Sequence, residues 1–195
     1  MKNRLGYLYI FLGALLWGAS ATLAKFLFKH EVDVLTLVQA RAIVSFTVLF
    51  ALLAAFKRKS LRISAKGLVA ASIWGLFGLT GAMMSYYYAI DNSTVATAIM
   101  LQYMAPVIVT VYSAVYYHEK LGVIKPMALI MAVTGCFLVI GGYNLGIFKA
   151  NLAGVAGGLI SAFCFSFLIL YGKRLFTIYG IWTSFLYGLL ASAVV

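Results

Sequence analysis

The side chains able to do chemistry are few in this chain of 195 residues, which holds 15 Lys and Arg, four Asp and Glu, two His and two Cys. Glu31, Asp33, Asp91 and Glu119 all fall at the ends of apolar runs, and His118 borders one. With no carboxylate inside a run, no proton relay through buried Asp or Glu has a candidate. The HExxH pattern is absent, and neither a pair of embedded aspartates nor a Ser/His couple is available for hydrolysis. No GxxxxGK[ST] phosphate loop occurs, so a nucleotide-driven pump is not indicated. Cys136 and Cys164 sit in apolar runs without CxxC or Cys/His spacing and read as buried thiols. The expectation is a protein that is not an enzyme, with no catalytic residue, metal or cofactor.

Two cations, Lys25 and Arg41, do lie within apolar runs. A charge at membrane depth costs about 2.5–3.5 kcal/mol on insertion scales, so each must face protein, water or the interface. For Lys25, snorkelling to the outer headgroups stands beside an internal partner. Arg41 pairs either with the outer acids Glu31, Asp33 or Asp91, or with an anionic substrate. A third feature is Pro106, which lacks an N–H and whose ring clashes with the carbonyl four residues earlier, that of Gln102. The freed carbonyl needs water, a side chain or a ligand, and Gln102, Tyr103, Thr110 and Ser113 lie on or near that face. The alternative is a kink that only shapes the helix.

The elements that must position these residues are transmembrane helices. Hydrophobic residues make up 65% of the chain and charged residues 10%, with a mean hydropathy of +1.05, more than any water-soluble core can absorb. Apolar runs near 5–28, 34–56, 67–89, 93–117, 126–142, 152–172 and 179–195 give seven segments, most of them near the ~20 residues needed to cross a bilayer. The runs lack the period of two that a β-barrel requires. The formal charge of +11 lies in the breaks between runs, which argues for topology and against nucleic acid. Lys57, Arg58, Lys59, Arg62 and Lys66 form the most basic break and are expected in the cytoplasm. Lys2, Arg4, Lys120, Lys125, Lys173 and Arg174 then share that side, the amino terminus is inside, and Lys29 and Lys149 are outside. A signal peptide is rejected at the start, because the first apolar run continues to Phe28. The last run stops in Ala-Ser-Ala-Val-Val without a basic anchor, so the chain reads as a fragment.

Helical spacing sets small residues in stripes: Gly13, Trp17, Ser20 and Ala24 on the first span, Trp74, Gly78, Gly81, Ser85 and Tyr88 on the third, and Gly154, Gly158, Ser161 and Phe165 on the sixth. Such stripes serve close helix packing or line a cavity.

Gly13-Ala-Leu-Leu-Trp17-Gly18-Ala-Ser20, Arg41, the stretch from Tyr86 to Ala96, Ala105-Pro106 with Glu119, and Gly135 occur in an order that resembles the EamA-type repeat of the drug/metabolite transporter superfamily. The resemblance implies an all-α, multi-pass helical bundle in a bacterial plasma membrane, built in that family from two inverted five-helix repeats. Residues 1–142 would be the first repeat, and 143–195 the first two helices of an inverted second one, with three spans absent. It implies a secondary transporter exporting small metabolites, amino acids or amphipathic compounds by alternating access. The expected partners are the lipid bilayer, a small-molecule substrate and a second copy or other subunit. The cavity would lie between the first, third, fourth and sixth helices, lined by Trp17, Ser20, Trp74, Ser85, Tyr88, Gln102, Tyr103, Pro106, Thr110 and Ser161. With Tyr86 and Tyr87, its aromatic stock suits an apolar or aromatic substrate carrying one polar group. The competing reading is a half-size subunit that works only beside a partner supplying the second repeat.

Overall fold

A chain dissolved in lipid must bond its own peptide groups, and an apolar run of twenty-odd residues does so as a helix. The computed structural model describes residues 2–118, 122, 124–139 and 152–194, and among them every regular element is helical. Glu119, Lys120, Gly142 and Lys149 lie outside the described residues. The first two spans are α1 (Lys2–Lys29) and α2 (Val34–Phe56). The third is composite: α3 (Ala65–Ile73), a π-helical stretch over Trp74–Thr80, and α4 (Gly81–Asn92). The fourth is broken into α5 (Val95–Gln102) and α6 (Ala105–Tyr116), followed by α7 (Ile124–Val139), α8 (Leu152–Tyr179) and α9 (Ile181–Val194). Five runs are long and apolar enough to cross a membrane: Gly6–Lys29, Val34–Phe56, Ala65–Asn92, Val95–Tyr116 and Leu152–Tyr179. Ile124–Leu138 and Ile181–Val194 are apolar but shorter.

Polar residues at the breaks start the helices where the runs predict. Asp33 Oδ2 accepts the amide protons of Leu35 at 2.9 Å and Thr36 at 3.4 Å, Ser64 caps Gly67, and Thr94 caps Thr97. Gly180, at φ +82°, makes the sharp turn from α8 to α9 that a residue with a Cβ resists.

The spine of the bundle is the third span packed antiparallel on α8. Glycines set the spacing: a Cβ on Gly78 would press on Leu168, one on Gly81 on Cys164 Sγ, and one on Gly157 on the Ser85 carbonyl and Tyr88 ring. Around this spine α5 and α6 lie against α8, α9 lies against α2 and the π-helical stretch, and α7 rests on α5. The first helix touches α4 and α5 through its second half, where Ala21 and Ala24 are buried with Tyr86, Tyr87 and Ile90. Its earlier glycines, Gly6 and Gly13, face open space.

One end of the bundle gathers the basic residues. Thr183 Oγ1 donates to the Ser60 carbonyl at 3.0 Å and Tyr187 Oη to that of Leu61 at 2.6 Å, tying α9 to the break at 57–66. Tyr179, at the end of α8, packs on Gly67, which brings Lys173 and Arg174 toward the same end. At the opposite end the turn after α1 adjoins the α4–α5 turn.

Candidate functional site

Arg41 projects from the second turn of α2, between the buried Val38 and Ala42, into a gap left by the loose packing of α1. Its Nη1 donates to Ser20 Oγ on α1 at 2.9 Å, and its guanidinium carbon lies 5.5 Å from the centroid of the Tyr87 ring on α4. The ring face attracts the cation and also holds it in place. No acid among the described residues pairs with it: the Asp33 carboxylate is occupied capping α2, and Asp91 contributes only its backbone carbonyl to another cation. Of the two partners foreseen for Arg41, the outer carboxylates are therefore not the ones it meets in the bundle.

Two clefts meet at this guanidinium. The larger, about 320 Å³, opens between α1, α2 and α4 and is bounded by Trp17, Ser20, Met83 and Tyr86 as well as Arg41. The smaller, about 130 Å³, lies between α2, the π-helical stretch and α9, against Ser45, Thr80 and Ser192. Arg41, Met83 and Tyr87 form the wall common to both. Each cleft carries a buried hydroxyl without a hydrogen-bond partner, Tyr86 Oη in the larger and Thr80 Oγ1 in the smaller. The Trp17 indole bears on the Tyr86 oxygen without reaching hydrogen-bond geometry. Buried polar atoms are almost always paired, so these two hydroxyls, unpaired among the described residues, are exceptions in the walls behind the clefts, while Arg41 itself makes one hydrogen bond.

Lys25 has the opposite fate. Its Nζ donates to the carbonyls of Ile90, Asp91 and Ser93, the last two at 3.0 Å, at the C-terminal end of α4. The ammonium has three donors and the helix end has unpaired carbonyls with partial negative charge, so both are satisfied. Lys25 is a helix cap reaching from α1.

The other residues singled out by the sequence are divided by the fold. Trp17 and Ser20 border the larger cleft, and Tyr103 joins Trp17 around an adjoining third cleft of about 220 Å³ between α1 and α5. Trp74 is fully buried, donating from Nε1 to the Leu168 carbonyl at 2.9 Å and packed edge-on to Phe176 and Phe185. Ser85 Oγ donates to Gly81 within its own helix, and Tyr88 lies against Gly157. Gln102 Nε2 donates to Ser161 Oγ, which donates to the Ala82 carbonyl, both at 3.0 Å, a chain that ties α5, α8 and α4 together. Pro106 stands in the first turn of α6 after a break at Tyr103 and Met104, with Thr110 Oγ1 bonded to its carbonyl at 2.7 Å. Ser166 Oγ of α8 lies 2.7 Å from the Ala162 carbonyl of its own helix and 3.2 Å from that of Ala105, which sets α8 against the start of α6. Thr80 and Met83 were not foreseen, although with Tyr87 they share a helical face at spacings of three and four.

Comparison with known sequences decides what kind of bundle this is: residues 4–141 match the EamA-like transporter family. The chain belongs to that family. Its helices are thus those of a multi-pass membrane protein, with the bilayer as solvent. Among curated proteins it is similar to an uncharacterized inner membrane transporter, YicL, of Salmonella typhimurium, with 24% identity over 182 residues, covering 92% of this chain and 61% of that one. The EamA chain described here spans about three fifths of the length of that relative. No solved structure matches.

Proposed function

We propose that this EamA-family chain forms the substrate-binding part of a secondary carrier that exports small metabolites, amino acids or amphipathic compounds across the plasma membrane by alternating access. The observation that carries the reading is the pair of clefts meeting at Arg41, inside the span region and beside α1. A binding residue at the junction of two clefts is what alternating exposure of one site requires. Residues 1–142 are read as one repeat and 143–195 as the start of an inverted second, and the dense packing of α8 on α4 and of α9 on α2 supports treating them as one unit. The basic end carrying Lys57 to Lys66 is assigned to the cytoplasm, together with the amino terminus.

Reconstitution of the purified chain into liposomes tests the carrier. Flux of a labelled solute through the chain alone is the expected outcome. Flux only with a second protein would make the chain a subunit, and no flux in either case would overturn the reading.

A further inference from the structure

We infer that the cleft at Arg41 receives a monovalent organic anion with a flat apolar body, an inference that takes the carrier reading as its setting but is tested by binding alone. The two embedded cations make the case by contrast. Lys25 has all three donors on backbone carbonyls. Arg41 has five N–H donors, and among the described residues one hydrogen bond engages them, to Ser20. Its charge is unopposed among the described residues, because no other described residue bordering either cleft is charged. A planar oxyanion matches the guanidinium fork with two parallel bonds and supplies the missing charge. The Trp17 and Tyr87 rings flank that position and suit an aromatic or otherwise flat body.

The charge balance restricts the ligand further. One guanidinium neutralises one negative charge, so a carboxylate fits and a dianionic phosphate leaves an excess. A zwitterionic amino acid would bring an ammonium to a cleft bordered by no carboxylate among the described residues, so carboxylic acids without an amino group are preferred to amino acids.

The test is equilibrium binding to the full chain in lipid nanodiscs, with benzoate as probe, benzamide as its uncharged analogue, and phenylalanine as the zwitterion. Benzoate is expected to bind at least about tenfold more tightly than either of the others. Equal binding of benzamide overturns the inference whatever the variants do. Arg41→Gln is expected to weaken benzoate about tenfold or more and Arg41→Lys less, with unliganded thermal unfolding showing that each variant is folded. Unchanged benzoate affinity in a folded Arg41→Gln protein also overturns it. Discs of phosphatidylcholine should give the same affinity as discs containing phosphatidylglycerol; loss of benzoate binding in the latter would make this a lipid-headgroup site instead. Benzoate binding without solute flux in liposomes would sink the carrier reading and leave the anion site standing.

Discussion

Lys25 and Gln102 show what a polar side chain must do to persist among apolar helices. Lys25 closes the end of α4, and replacing it with Met leaves three carbonyls without their donor while keeping most of the volume. The cost is expected to be about 1–3 kcal/mol, read as a lower thermal unfolding temperature in detergent. An unchanged temperature would mean that water caps the helix equally well. Ser161→Ala leaves the buried Gln102 amide without its acceptor, a loss of about 1–3 kcal/mol. Adding Gln102→Leu should recover part of that loss, because removing both partners is cheaper than orphaning one; a double variant weaker than the sum of its parts would contradict the pairing. The depth of Lys25 was legible in the sequence, whereas its partners lie 65 to 68 residues further on and left no local trace.

At the scale of elements, the stripe from Trp74 to Tyr88 was readable as a close-approach surface, and its residues do meet α8. The π-helical stretch within it was not readable, since an altered hydrogen-bond register changes neither composition nor hydropathy. Its consequence is a backbone contact: a Cβ on Gly75 would fall on the Gly188 carbonyl of α9, and one on Gly188 would lie 2.8 Å from the Trp74 ring. Gly75→Ala is therefore expected to cost at least about 2 kcal/mol, because backbone rather than a flexible side chain must give way. Gly13→Ala is the contrasting case. Nothing lies within 4 Å of its Cβ position, and alanine favours helix by about 1 kcal/mol, so thermal stability should hold or rise. A large loss there would show that α1 packs more tightly than the bundle describes.

The whole molecule has two unlike ends, and which one faces the cytoplasm is open to direct measurement. In a background with Cys136 and Cys164 replaced, a cysteine at Ser60 should be shielded from a membrane-impermeant maleimide in intact cells, and one at Glu31 should react. Labelling of Ser60→Cys from outside would reverse the proposed orientation. What the sequence by itself determined is the solvent, the helical state and the position of the helices, including α7 and the short α9. These follow from length and apolar content, which act within a single run of about 20 residues and need no knowledge of neighbours. Only the tertiary structure decided which of the marked residues pack and which face a cleft. Trp74, Gln102 and Ser161 went into the packing, while Trp17 and Ser20 border a cleft. It also separated two cations that look alike in the sequence. The helix end that satisfies Lys25 and the open wall that leaves Arg41 unopposed are both set by segments distant in the chain, and hydropathy carries no record of those meetings.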